Sequence, residues 1–142
     1  MKLDIYQIEG QEEPIETTFV DGSVQAGFPS PAQDYVNLSI DLNKELISHR
    51  ATTFCTRVSG DSMIEANVHD GDLLIVDRGL EPRNNDMAVC FVDGEFTLKY
   101  IEVHEDGIWL RPANTDYPMM KIDPESSFTI WGVVTYSIHK QR

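Results

Sequence analysis

The sequence predicts a mostly β domain, a curved and partly barrel-like antiparallel sheet with a flexible N-terminal arm and one or two short helices. Three observations predict it. From residue 51 onward, short runs of β-branched, aromatic and aliphatic residues follow one another with no helical pattern between them. Turn-forming residues separate the runs at Asp70-Gly71-Asp72, Asn84-Asn85-Asp86, Asp93-Gly94 and Glu105-Asp106-Gly107. Before residue 30 the chain is acidic, and Gly10, Pro14, Gly22, Gly27 and Pro29 prevent any long helix.

Taken in order, residues 1–29 read as an extended arm with few apolar residues, among them Ile5, Tyr6, Ile8, Phe19, Val20 and Phe28. Such a segment suits a peptide drawn into a groove as a strand, and it equally suits a tail with no chemistry. Residues 30–142 form the β-rich domain. Ser30-Pro31 reads as a helix start, serine as cap and proline in the first turn, with a short helix through Val36. A second short turn runs over residues 42–47, where Asp41 is placed to cap it. Tyr35, Leu38, Leu42 and Leu46 give a broken apolar stripe expected to pack against the sheet. The strands are then expected at residues 52–58, 73–77, 87–92, 95–103, 107–112 and 128–138. Asp93-Gly94 between two apolar runs predicts a tight hairpin joining the third and fourth of these.

Two residues carry candidate chemistry. Ser62 lies in Val58-Ser59-Gly60-Asp61-Ser62-Met63-Ile64, a tight turn directly after a strand, where a nucleophile would be presented. A serine there also serves simply to form the turn. Lys99 lies on the second arm of the hairpin, where alternation puts Thr97, Lys99 and Ile101 on one face and Phe96, Leu98 and Tyr100 on the other. Desolvation among such neighbours penalises the ammonium form, and a neutral amine can act as general base towards a serine hydroxyl. A lysine snorkelling at a sheet edge fits the same pattern. Met63 fits a cleft wall and a core position equally.

Ser-Gly-Asp-Ser-Met, followed by the lysine of Asp-Gly-Glu-Phe-Thr-Leu-Lys, resembles the LexA/UmuD group of self-cleaving serine proteases. The resemblance is closer to the UmuD branch, accessory subunits of the damage-tolerant DNA polymerase V. It extends from Gln25-Ala26-Gly27-Phe28-Pro29-Ser30-Pro31-Ala32 through Asp70-Gly71-Asp72-Leu73-Leu74-Ile75-Val76-Asp77 to Trp131-Gly132-Val133-Val134, nearly the whole chain. It implies a LexA/signal-peptidase-like fold, Ser62 as nucleophile, Lys99 as general base, and backbone N–H groups of Asp61 and Ser62 as oxyanion donors. It also implies self-cleavage at Ala26-Gly27. UmuD-like proteins often have cysteine before that glycine, whereas the alanine here is what LexA-like repressors show. The implied partners are a second copy of the chain in a homodimer, the RecA filament on single-stranded DNA that stimulates cleavage in the SOS response, and a UmuC-like Y-family polymerase.

Composition bounds these expectations. The 142 residues carry a formal net charge of −13, which repels nucleic acid and disfavours direct duplex binding. Residues before the cleavage pair include Glu9, Glu12, Glu13, Pro14 and Glu16, the wrong chemistry for a DNA-reading domain of the LexA type. No apolar stretch approaches a membrane span and no basic-then-apolar leader opens the sequence, so a cytoplasmic location without membrane attachment is expected. Cys55 and Cys90 fall within expected strands as small apolar residues, with no disulfide framework and no local signature of a cysteine-histidine nucleophile. His49, His69, His104 and His139 have no metal-ligand spacing, so neither a metal nor a cofactor is expected. Two other readings remain: a LexA-type autoproteolytic regulator without a DNA-binding domain, and a non-catalytic interaction module.

Overall fold

The computed structural model describes residues 2–7, 16–20 and 37–142. The expected cleavage pair Ala26-Gly27 and the expected helix from Ser30-Pro31 to Val36 lie outside the described residues. The chain divides into two compact units, residues 9–48 and the remainder.

The larger unit is built on one antiparallel sheet. Its strands are β1 (Lys2–Gln7), β4 (Thr53–Ser59), β5 (Leu73–Asp77), β6 (Met87–Val92), β7 (Glu95–His104), β8 (Gly107–Arg111), β9 (Met120–Lys121) and β10 (Phe128–Ile138). The smaller unit contains β2 (Glu16–Val20), β3 (Asn37–Asp41) and α1 (Leu42–Leu46). In space the large sheet runs β1-β4-β5-β10-β6-β7-β8-β9. The last strand is therefore inserted between β5 and β6, in the middle of the sheet.

Local chemistry explains the frame. Asp93 and Gly94 both take positive φ, 48° and 86°, the geometry of a two-residue turn whose twist matches its strands. That turn sets the β6–β7 register, with Val92 opposite Glu95 and Ala88 opposite Lys99. β10 shifts register between Ile130 and Gly132 against β6, and between Val134 and Tyr136 against β5. Such bulges bend a strand and increase its twist, which curves the sheet around its central member. At Gly132 an added Cβ would stand 2.6 Å from Val76 Cγ1, so β10 packs against β5 too closely for any side chain.

Alternation sends the strands' apolar residues to opposite faces. Val58, Met63, Val68, Leu74, Val76, Val89 and Leu98 form one buried cluster; Ala88, Cys90, Ile101 and Leu110 form another. Burying a side chain as completely as Leu98, which has no exposed surface, is worth about 1.5–3 kcal/mol.

The expected strands at 73–77, 87–92 and 128–138 coincide with β5, β6 and β10. β8 stops at Arg111 before Pro112, which has no N–H to give a ladder. Residues 2–7, expected as part of an extended arm, form β1, the edge strand of the sheet, paired with β4 from Lys2 opposite Ser59 to Gln7 opposite Phe54.

In the smaller unit β2 pairs with β3, from Glu16 opposite Asp41 to Val20 opposite Asn37. Asp41 caps α1 as expected, its carboxylate accepting the Asn43 N–H at 3.0 Å. The apolar stripe through Leu38, Leu42 and Leu46 is corrected. Leu38 belongs to β3, where the period is two and not 3.6, and α1 buries none of its residues. Among the described residues no helix is long and apolar enough to cross a membrane.

Candidate functional site

The site begins where β4 ends. Gly60 takes φ 107°, which favours glycine, and its N–H donates to Asp70 Oδ1 at 2.9 Å. The excursion from Ser59 to Asp72 is closed at its base: Val58 N–H donates to the Asp72 carbonyl at 2.9 Å, and Gly71 N–H to the Val58 carbonyl at 2.7 Å. Met63, with no exposed surface, pins the excursion to the core. Of its two sequence readings, the core position is the one realised. A single 3-10 turn, Ile64–Ala66, follows. Ser62 directly precedes the Met63 anchor, between it and the Gly60 bend, and is only 4% exposed.

Lys99 arrives from β7. It is 9% exposed and shares its strand face with Thr97 and Ile101, as the alternation predicted. Its Nζ lies 3.4 Å from Ser62 Oγ, 2.9 Å from Thr97 Oγ1 and 3.0 Å from the Leu98 carbonyl oxygen. Burial holds the Lys99 ammonium below the usual lysine range, because the charged form loses water. Cys90, also fully buried, opposes this slightly through its charge interaction with Lys99. Its own thiol is pushed up to about 12 by burial, so at neutral pH it carries no anion that would hold the ammonium charged.

The hydrogen-bond inventory defines what this geometry can do. A neutral amine has two N–H donors and one lone pair. The Leu98 carbonyl and Thr97 Oγ1 can take the two donors, which turns the lone pair to the Ser62 hydroxyl. The arrangement suits proton removal from serine.

A second loop holds the nucleophile turn. The Asp61 carbonyl accepts Ile64 N–H at 3.1 Å and Asn114 Nδ2 at 2.8 Å, while the Tyr117 hydroxyl donates to Asp61 Oδ1 at 2.8 Å. Glu65 N–H donates to the Ala113 carbonyl at 2.7 Å, and Ala113 N–H to Met63 Sδ at 3.3 Å. Sequence reasoning did not find Asn114 or Tyr117. They lie 53 and 56 residues from Asp61, and no local pattern points across that separation. Thr97 was placed on the lysine face but given no role; its spacing of two from Lys99 was the available signal.

The histidines stand elsewhere. His49 Nδ1 is 2.7 Å from Asp77 Oδ2, His104 is beside Glu102, His69 Nε2 is 2.9 Å from Asn67 Oδ1, and His139 Nδ1 pairs with buried Asp72. Cys55 and Cys90 are both free thiols. Among the described residues no three metal-binding side chains are grouped to hold an ion.

Comparison with known proteins agrees with this architecture. The family model described as Peptidase S24-like matches residues 18–135. Protein MucA of Salmonella typhimurium is 39% identical over 139 residues, covering 97% of this chain and 94% of its own. Protein ImpA of Shigella flexneri is 41% identical over 133 residues, covering 94% of this chain and 90% of its own. The LexA repressor of Delftia acidovorans is 36% identical over 112 residues, covering 79% of this chain and 50% of its own. The match to the family model spans most of the chain, and relatives of this identity cover nearly all of it. The chain belongs to the Peptidase S24-like family, alongside UmuD-like and LexA-like relatives.

Proposed function

We propose that this chain is a self-cleaving serine endopeptidase of the SOS response, and that Ser62 and Lys99 cut its own Ala26-Gly27 bond. The observation that carries the reading is the 3.4 Å approach of a buried lysine amine to a buried serine hydroxyl. Neutral Lys99 takes the Ser62 proton as Oγ attacks the Ala26 carbonyl carbon. The C–N bond then breaks, the Gly27 nitrogen leaves with the proton returned from Lys99, and Ala26 remains as an ester on Ser62. Water, deprotonated by the same amine, hydrolyses the ester and restores the hydroxyl. Backbone N–H groups of Asp61 and Ser62 stabilise the oxyanion, each such donor being worth about 3 kcal/mol in the barrier.

In this reading residues 1–29 are the arm that carries the scissile bond, and residues 30–142 are the protease and interaction domain. The RecA filament on single-stranded DNA stimulates cleavage in the cytoplasm. The fragment beginning at Gly27, as a homodimer, joins a UmuC-like Y-family polymerase in translesion synthesis. The relatives MucA and ImpA, matched along nearly their whole length, support this assignment, and the net charge of −13 favours a protein partner over duplex DNA. The partial match to a LexA repressor favours a second reading, an autoproteolytic regulator that acts through another protein. Co-expression of the Gly27 fragment with such a polymerase separates the two. Co-purification and stimulated lesion bypass are expected, whereas normal self-cleavage with no complex at micromolar concentration would select the regulator.

A further inference from the structure

Asn114 lies on the loop between β8 and β9, 8% exposed, and its side-chain amide is engaged at both ends. The Asp116 N–H donates to Oδ1 at 2.9 Å, and Nδ2 donates to the Asp61 carbonyl at 2.8 Å. The first bond decides how the amide is turned. Only its oxygen can accept from an N–H, so its nitrogen must face Asp61. With the Ile64 N–H, this puts two donors on one carbonyl oxygen.

In a trans peptide the carbonyl and the following N–H point in opposite directions from one rigid plane. Fixing the Asp61 oxygen therefore fixes the direction of the Ser62 N–H and the Cα from which Oγ projects. Donors on the carbonyl also polarise the peptide and strengthen that N–H as a donor. The same loop grips Asp61 through Tyr117 and Met63 through the Ala113 N–H, so it brackets Ser62 from both sides.

We infer that Asn114 is a positioning residue for Ser62: its amide holds the Asp61-Ser62 peptide plane so that Oγ meets Lys99 and the N–H meets the developing oxyanion. The inference rests on the self-cleavage reading. Asn114 touches neither reacting group and acts through the backbone of the turn.

Two variants of the full chain test it. Asn114→Asp keeps the acceptor for Asp116 N–H and loses the donor to Asp61; Asn114→Ala loses both. Self-cleavage would be timed by intact mass from pH 7 to 10, Ser62 labelling followed with a fluorophosphonate, and melting temperatures compared. Both variants are expected to remain folded while cleavage and labelling fall together, about 10- to 100-fold, the scale of a misplaced or lost oxyanion donor. In Asn114→Ala the pH midpoint of cleavage, which belongs to Lys99, is expected to stay in place. Wild-type rates in either variant would overturn the inference. So would a loss in Asn114→Ala that a moved midpoint fully accounts for, or failure of both variants to fold. A wild-type chain that neither cleaves nor labels would overturn the self-cleavage reading itself, and the inference with it.

Discussion

Lys99 Nζ stands 3.4 Å from Ser62 Oγ, with Thr97 Oγ1 and the Leu98 carbonyl as its other polar neighbours. A lysine so placed is costly to keep charged. Its folded pKa is depressed by burial, so between that value and the ordinary lysine value the unfolded chain binds more protons than the folded one. Stability attributable to this group therefore rises with pH through that window. The cost is fully present below the folded pKa and gone above the ordinary value. Replacing the lysine by methionine should stabilise the protein by about 1 kcal/mol at pH 7 while abolishing cleavage. Urea unfolding of Lys99→Met and wild type at pH 7 checks it; equal or lower stability in the variant would contradict the burial cost.

Asp77 makes the opposite case. Burial works to raise its pKa, but hydrogen bonds from Thr52, His49 and the Gly79 N–H outweigh it and hold the carboxyl below its usual value. Its contribution is present above the unfolded value and is lost as pH falls through the lower folded one. Asp77→Ala removes the shared acceptor of the Gly79 N–H, the Thr52 hydroxyl and His49 beside the start of β4. Because water reaches exposed Gly79 and Thr52 keeps the His49 carbonyl, the expected cost is about 1–2 kcal/mol at pH 7. The difference from wild type should shrink as the medium is acidified below pH 4, which chemical denaturation at stepped pH would read.

Gly132 tests the packing of the central strand. Gly132→Ala would drive a methyl into Val76 Cγ1, itself without exposed surface, so something in the core must move. A loss of about 1–3 kcal/mol is expected. A melting temperature within a degree of wild type would show that β10 is free to shift.

Cys90 reports on the integrity of the site. Its thiol is fully buried and pushed up to about 12, so it offers almost no thiolate at neutral pH. In a Cys55→Ser background, which leaves Cys90 as the one thiol, an aromatic disulfide reagent should modify it only as fast as the domain opens. Rapid labelling in native buffer would mean that the Lys99 pocket is wet.

Much of this arrangement was legible in the sequence, for reasons that differ by residue. β5 and β6 fall at their expected bounds because short apolar runs bounded by Asp-Gly turns leave little choice of strand, and β10 does so because its β-branched and aromatic residues favour a strand throughout. Period-2 alternation put Lys99 with Thr97 and Ile101, and the structure keeps them together. β9 was missed because two residues carry no period. β3 was read as part of a helical stripe because leucines at 38, 42 and 46 fit a spacing of four; pairing with β2 decides the segment instead. The Asn114 and Tyr117 clamp on Asp61 comes from tertiary folding alone, and local propensity says nothing of it.

The central claim is that a neutral Lys99 drives Ser62. It is tested most directly by intact mass of wild-type, Ser62→Ala and Lys99→Ala proteins, incubated from pH 7 to about pH 10 with and without RecA on single-stranded DNA. The expected result is a fragment beginning at Gly27 from the wild type alone. Its rate should rise with pH, level off below the usual lysine range and increase with the filament. Cleavage that persists in Lys99→Ala, or a wild-type chain that stays whole under every condition, would contradict it.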